Sequence, residues 1–160
     1  MNPILNPVRY ALLALVSVSL GTWAVRTFRA VPAAGGGAEL PADGLVVVNF
    51  HAAIRCNGCR EIDRETQALM ESEFAGAVKS GRISHAVISF EETANKHFVK
   101  DYGLTTTTVV VTRRAGGRDV EWQRLDAVWD HLYDDPAMRA YLKAHINQLM
   151  GLSTSPNPLL

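Results

Sequence analysis

An uncharged, mostly apolar run lies near the N-terminus of the chain. Residues 10–25 (YALLALVSVSLGTWAV) carry no charge and are bracketed by Arg9 and Arg26, which is the pattern of a membrane-inserted helix. We therefore predict that residues 1–29 form a single-pass anchor in a bacterial-type membrane, with the following domain outside the cytoplasm. The alternatives are a cleaved signal peptide, which would give an exported soluble form, and a soluble buried helix.

A change of composition separates this segment from the rest of the chain. Residues 30–44 (AVPAAGGGAELPADG) are rich in Gly, Ala and Pro, which favours a flexible linker. From residue 45 the apolar positions follow the periods of strands and helices. We predict a folded domain over residues 45–150 and a frayed tail over residues 151–160.

The first half of the predicted domain alternates strands with helices. Residues 45–53 (LVVVNFHAA) are a continuous apolar run of strand length, typical of a central strand covered on both faces. Apolar residues then recur at helical spacing, which predicts an amphipathic helix ending near residue 81. A strand over residues 83–90 and a short helix over residues 95–102 follow.

The second half predicts an antiparallel strand pair followed by helices. Residues 105–112 (TTTTVVVT) are strongly β-prone, and a glycine-containing turn leads to a returning strand over residues 120–123. A short helix is predicted over residues 125–132, and Asp135 is predicted to cap a last helix with Pro136 at its first position. The fold class is therefore α/β, a central mixed sheet flanked by helices and preceded by the membrane helix.

Charge and cysteine content narrow the functions that the chain can have. Sixteen basic and sixteen acidic residues give a net charge of zero, so no overall field attracts nucleic acid, and we predict no nucleic-acid partner. Two cysteines are too few for a disulfide scaffold and half of what a four-cysteine zinc site needs. The two cysteines lie three positions apart, which indicates that they work as a unit.

These cysteines form the motif Cys56-Asn57-Gly58-Cys59 between the first strand and its helix. A thiol at a helix start faces free N–H groups and the positive end of the helix dipole, which lowers its pKa. Cys56 is thus predicted to be the attacking thiolate, and Cys59, one turn further on, the resolving thiol. Arg55 either adds positive potential at Cys56 or is a solvated surface charge. The dipeptide Asn57-Gly58 is expected to be polar and flexible.

The motif and the element order together resemble the thioredoxin superfamily over residues 45–150. The segments FHAAIRCNGCR, NKHFVKDYGLTTTTVVV and EWQRLDAVWDHL are similar to the small thioredoxin-like proteins named as the ArsF-type subunit of a nitrophenyl-compound nitroreductase. The resemblance implies a thioredoxin-like fold with a disulfide-exchanging CxxC at the tip of the first active-site helix. It also implies no cofactor beyond the redox-active disulfide Cys56–Cys59.

The sequence departs from the thioredoxin pattern at two places. Thr108 stands where the superfamily has a cis-proline that lies against the CxxC, so Thr107 and Thr108 become candidate residues lining the site. Arg55 replaces the usual Trp, and Asn57-Gly58 replaces the usual Gly-Pro. The substrate-binding loop is therefore expected to differ from that of an ordinary thioredoxin.

We predict a thiol–disulfide oxidoreductase, or an electron-passing redox subunit, that exchanges disulfides with a protein partner. The resemblance suggests that this partner is a membrane protein or a nitroreductase-type redox protein. The chain has no flavin or nicotinamide fingerprint of its own. The acidic residues at 61, 63 and 65, interleaved with Arg60 and Arg64, predict a solvated helix face with ion pairs.

Two alternative functions use the same cysteines. In the first, Cys56, Cys59 and His51 are ligands of a metal-binding module for copper, zinc or a metalloid. In the second, the disulfide only stiffens the helix start of a membrane-tethered interaction domain. Haem attachment is excluded in its usual form, because Arg60 stands where CxxCH requires histidine.

Overall fold

The computed structural model of the protein describes residues 38–151, which contain four strands and four α-helices. Short 3₁₀ turns occupy Thr93–Asn95 and Asp126–Trp129. In chain order the elements are β1 (Gly44–His51), α1 (Asn57–Ser72), α2 (Ala75–Lys79), β2 (Ile83–Ser89), α3 (His97–Asp101), β3 (Thr108–Ala115), β4 (Arg118–Leu125) and α4 (Asp135–Leu149).

The strands form one mixed sheet in the order β2-β1-β3-β4. Strand β1 runs parallel to β2, with Val47 opposite His85, and antiparallel to β3, with Val47 opposite Val111. Strand β4 pairs antiparallel with β3. Residues 45–50 of β1 are all buried, so the prediction of a central strand covered on both faces is confirmed.

Alternate residues of β1 enter two different hydrophobic clusters, because successive side chains of a strand point to opposite faces. Leu45 and Val47 join the cluster that holds α1 and α4, whereas Val46, Val48 and Phe50 join the one that holds α3. The sheet is therefore covered by helices on both faces, as predicted. The end of β1 that leads to the cysteines is fixed from both sides.

The prediction of one continuous helix from the cysteines to residue 81 is wrong. The amides of Glu73 and Phe74 both donate to the Leu69 carbonyl, at 3.1 Å and 3.3 Å, and this closes α1 after Ser72. Phe74 then turns into the core, where it is 7% exposed. Burial of this aromatic ring outweighs the one further turn of regular helix that the sequence favours.

Several elements in the second half also differ from the sequence prediction, and β4 spans Arg118–Leu125 instead of residues 120–123. Strand β3 begins at Thr108, not at Thr105. The predicted helix over residues 125–132 is a 3₁₀ turn, followed by turns up to Tyr133, whose φ of 65° lies in the left-handed region. Asp134, not Asp135, caps α4, because its carboxylate accepts from the Ala137 amide at 3.1 Å.

The predicted anchor over residues 1–29 and the tail after residue 151 lie outside the described residues. Among residues 38–151, none of the helices is long and apolar enough to cross a membrane. The last part of the predicted linker contacts the domain: the Ala38 amide donates to Asn95 Oδ1 at 2.7 Å, and Leu40 is 8% exposed.

Candidate functional site

Cys56 and Cys59 form a disulfide at the N-terminus of α1, with their Cα atoms 5.1 Å apart. Cys56 is the N-cap residue of the helix. Its Sγ accepts from the Cys59 amide at 3.1 Å, and Cys59 Sγ accepts from the Cys56 amide at 3.3 Å. The Cys56 sulfur therefore occupies the cap position, where free amides and the helix dipole favour negative charge.

The two cysteine residues differ in their exposure to solvent. Cys56 is exposed, whereas Cys59 is only 5% exposed. An incoming thiol or disulfide therefore reaches Cys56 first, and Cys59 can react mainly within the chain. The roles of attacking thiol for Cys56 and resolving thiol for Cys59 stay a prediction from the sequence.

Gly58, between the cysteines, is buried. A Cβ atom on Gly58 would lie 3.0 Å from Trp129 Cζ3 and 3.1 Å from Leu132 Cδ1. The segment after β4 thus packs directly on the motif, and only glycine fits at position 58 without a shift of these side chains. Asn57 remains exposed at the first turn of α1.

Trp129 also joins the cysteine motif to the threonine segment before β3. Its indole Nε1 donates to the Thr107 carbonyl at 2.8 Å. Thr107 is buried and contacts Trp129 through its backbone carbonyl. The Thr108 hydroxyl donates to Asp126 Oδ1 at 3.0 Å. The peptide bond before Thr108 is trans. Thr107 is therefore tied to the motif through Trp129, and the Thr108 side chain is bound to the 3₁₀ turn.

Arg55 forms an ion pair with Asp63, which lies one helical turn beyond Cys59. The other carboxylate oxygen of Asp63 accepts from Asn49 Nδ2 at 2.7 Å, and Asn49 is fully buried in β1. The sequence left two interpretations of Arg55 open, a source of positive potential at Cys56 or a solvated surface charge. Neither is complete, because Arg55 is adjacent to the motif but its charge is balanced by the Asp63 carboxylate.

The loop from β1 to Cys56 is held by contacts at its first half. The Ala53 amide donates to Glu91 Oε2 at 2.8 Å, and His51 Nδ1 lies 2.7 Å from the Ala52 carbonyl. In residues 38–151, the group of side chains close enough to share a metal ion is Glu61, Glu65 and Asp135, which does not include His51 or the cysteines.

That carboxylate group is occupied by arginine side chains. Arg64 contacts Glu61, Glu65 and Asp135, and Arg139 Nε lies 2.5 Å from Glu65 Oε2. The predicted ion pairs on this helix are confirmed, but the prediction of a solvated face is wrong for Glu65, which is fully buried. The hydrogen bonds that Arg64 donates to Glu61 and Asp135 raise the pKa of Arg64 above its ordinary value.

Sequence reasoning missed three residues of the site: Asn49, Asp63 and Trp129. Asn49 is the one polar residue inside the run LVVVNF, and that interruption was a usable signal. Asp63 follows Cys59 at a spacing of four and so shares its helix face, which also could have been noticed. No local pattern indicates that Trp129 reaches back to Gly58, because that contact joins distant parts of the chain.

These features define the class of the domain. A mixed sheet in the order β2-β1-β3-β4, with β1 leading into a helix that begins with a CxxC disulfide, is a thioredoxin-like α/β fold. The sequence expectation for residues 45–150 is confirmed at this level.

Comparison with known proteins gives only structural similarity. No protein-family model matches the chain, and neither does any curated protein. Thioredoxin f2 of Chlamydomonas reinhardtii is 20% identical with a TM-score of 0.43, over 69% of this chain and 82% of that one. Thioredoxin of Fasciola hepatica is 21% identical with a TM-score of 0.41, over 66% and 81%. Thioredoxin of Trypanosoma brucei brucei is 18% identical with a TM-score of 0.37, over 66% and 77%.

Proposed function

We propose that the protein is a thiol–disulfide oxidoreductase that passes two electrons between its Cys56/Cys59 pair and a partner protein. The observation that carries this proposal is the disulfide at the start of α1, with Cys56 exposed and Cys59 buried. A purely structural disulfide has no need of an exposed cysteine at a helix N-terminus, where the helix dipole favours negative charge.

The proposed reaction consists of two exchanges. The Cys56 thiolate attacks a partner disulfide, forms a mixed disulfide and releases one partner thiolate. Cys59 then loses its proton and attacks the Cys56 sulfur, which releases the second partner thiol and restores the Cys56–Cys59 disulfide. Two electrons leave the dithiol and two partner thiols form. The same steps run in reverse with an oxidising partner, and the reduction potentials decide the direction.

The partner is proposed to be a protein rather than a small thiol. Ile54, two positions before Cys56, is 88% exposed, and Tyr133, next to the Leu132 that packs on Gly58, is 74% exposed. Large apolar side chains at the edge of a reactive site suit an apolar segment of a protein substrate. The ArsF-type resemblance makes a nitroreductase-type redox protein or a membrane protein the class to test first.

We further propose that the domain works beside a bacterial-type membrane, on its outer side, tethered by residues 1–29. The uncharged run between Arg9 and Arg26 supports this location. A fusion of a compartment-sensitive reporter to the C-terminus tests the orientation. Recovery of the full-length chain in the membrane fraction after a carbonate wash distinguishes an anchor from a cleaved signal peptide.

Trapping in cells tests the redox function directly. In Cys59→Ser the resolving thiol is absent, so partners should accumulate as mixed disulfides on Cys56 that dithiothreitol releases. Cys56→Ser is the matched control and should trap nothing. A loss of metal affinity in Cys59→Ser relative to the wild type, without any trapped partner, would favour the metal-binding alternative. Loss of stability alone would favour a structural disulfide.

A further inference from the structure

The Arg55–Asp63 ion pair spans the cysteine motif. Arg55 directly precedes Cys56, and Asp63 lies on α1 four residues after Cys59. The side chain of Asp63 is 12% exposed and that of Arg55 35% exposed. The cysteine motif is therefore flanked in sequence by two opposite charges that pair with each other.

Asn49 fixes Asp63 from the side of the sheet. The Asn49 amide donates to Asp63 Oδ1 at 2.7 Å, and Arg55 contacts Asp63 Oδ2. Asn49 is completely buried, and its Oδ1 has no hydrogen-bond partner among the described residues. Each carboxylate oxygen of Asp63 thus has a separate partner, so rotation of this carboxylate away from Arg55 would break a buried hydrogen bond.

Other charged groups near the motif are bound to the backbone. The Arg60 guanidinium donates to the Arg55 carbonyl at 3.2 Å, and Glu91 accepts from the Ala53 amide. His51 contacts the Ala52 carbonyl. These contacts shape the loop before Cys56. Arg55 differs from these groups in two ways. It is adjacent to Cys56 in sequence, and its charge pairs directly with a carboxylate, that of Asp63.

Reduction of the disulfide changes the charge balance among Cys56, Arg55 and Asp63. The disulfide takes up two electrons and two protons from a dithiol reductant to give two thiols, and Cys56 then releases one proton to solvent. The resulting thiolate is a second anion beside Arg55. We propose that Asp63 holds the Arg55 charge away from Cys56 and thereby restrains the thiolate, so that the Arg55–Asp63 pair sets the acidity of Cys56 and the potential of the couple. This inference rests on the proposed redox function.

The direction of the change in the pKa of Cys56 depends on whether the remaining charge stabilises or destabilises the thiolate. Removing the Asp63 charge leaves Arg55 free to stabilise the Cys56 thiolate, which lowers the pKa of Cys56 and favours the reduced form. The disulfide then becomes more oxidising. Removing the Arg55 charge leaves the Asp63 anion without its counter-ion, which disfavours a thiolate at Cys56 and has the opposite effect. Asp63 is a positioning residue in this scheme, because it acts through Arg55.

The experiment measures alkylation of the reduced full-length protein by iodoacetamide as a function of pH, together with its redox equilibrium with glutathione. Asp63→Asn should raise the alkylation rate at pH 6 about three- to tenfold, since removal of one charge changes the thiolate fraction of an exposed thiol by a factor of that order. A tenfold change in the equilibrium constant corresponds to a shift of about 30 mV. Arg55→Gln should lower the rate, and Arg55→Gln/Asp63→Asn should return it near the wild-type value.

Glu61→Gln is the matched control, because it removes a carboxylate from the same helix that pairs with Arg64 instead of Arg55. Its alkylation profile should stay within about twofold of the wild type. An Asp63→Asn profile equally close to the wild type, or a double variant that does not return, would overturn the inference. Failure of the proposed function has a different signature: Cys59→Ser traps no partner, even where the alkylation midpoints move as expected.

Discussion

The indole of Trp129 donates a 2.8 Å hydrogen bond to the carbonyl of Thr107, twenty-two residues earlier in the chain. The same ring lies over Gly58. One side chain thus joins the cysteine motif, the threonine segment and the 3₁₀ turn after β4. The geometry of the disulfide site depends on this tryptophan, although it carries no reactive group.

Trp129→Phe should destabilise the protein by about 1–3 kcal/mol, because it keeps an aromatic ring near Gly58 but leaves the buried Thr107 carbonyl without its donor. Urea unfolding of the oxidised protein measures this loss. Trp122→Phe is the control: Trp122 is 42% exposed on β4 and contacts Tyr102 with its ring. It should change the free energy of unfolding by less than about 0.5 kcal/mol. Equal losses for the two variants would contradict a special role for the Trp129–Thr107 bond.

Gly58→Ala tests how tightly the motif is packed. Alanine is favoured over glycine in a helix by about 1 kcal/mol, but its Cβ would lie 3.0 Å from Trp129 and 3.1 Å from Leu132. Overpacking of this kind costs about 1–3 kcal/mol, so we expect a net loss of about 1 kcal/mol in unfolding experiments. In a Leu132→Ala background the loss caused by Gly58→Ala should be smaller if the steric account is right, because one of the two close contacts is gone while that with Trp129 remains. Stabilisation by Gly58→Ala in the wild-type background would contradict it.

Much of this fold follows from local patterns in the sequence. The apolar run over residues 45–53 predicted the central strand, and helical spacing after the CxxC predicted α1. The resemblance carried by Cys56, Cys59 and the Tyr102-Gly103 segment predicted the thioredoxin-like arrangement. These signals lie within single elements or at fixed distances along the chain, which is why they can be read without a structure.

The rest depends on contacts between distant residues. The break after Ser72 arises because Phe74 is buried, and the irregular turn before Tyr133 arises where Trp129 and Leu132 pack on Gly58. Local propensity favours a helix at both places, and tertiary packing overrides it. The counter-ion of Arg55 was hidden for the same reason, since a charge pattern does not tell which of several carboxylates an arginine will reach.

Glu65→Gln should lower the free energy of unfolding by about 1–3 kcal/mol. Glu65 is fully buried, and its oxygens lie 2.8 Å from Arg64 Nη1 and 2.5 Å from Arg139 Nε. Removing one member of a fully buried pair costs about 3–5 kcal/mol, but Arg64 and Arg139 are 54% and 39% exposed and can turn towards water. The loss is therefore smaller than that limit.

Glu121→Gln is the control for this prediction. Glu121 also pairs with an arginine, Arg113, at 2.9 Å, but both side chains are about half exposed, at 47% and 49%. Exposed ion pairs contribute little to stability, so guanidinium unfolding curves of this variant should overlay those of the wild type. If Glu65→Gln had the same curve, burial of its carboxylate would not matter to the fold.

Acidification should destabilise the domain through His85. This histidine lies on β2, and desolvation by burial lowers its pKa below the ordinary value near 6.5, against a smaller opposing effect of Glu71. Its Nε2 has no hydrogen-bond partner among the described residues. In the unfolded chain the imidazole takes up a proton as the pH falls through about 6.5, while the folded protein resists protonation. The contribution of neutral His85 to the free energy of unfolding is therefore fully present above about pH 6.5 and is lost as the pH falls below it.

Unfolding free energies measured between pH 8 and pH 5 check this prediction. The loss due to His85 should approach about 1.4 kcal/mol per pH unit between the unfolded pKa and the lowered folded pKa. His145 adds to it, since burial lowers its pKa as well. His85→Gln should flatten the pH dependence, and His97→Gln, at an exposed position, should leave it unchanged. A wild-type slope in His85→Gln would mean that other groups, carboxylates among them, cause the acid sensitivity.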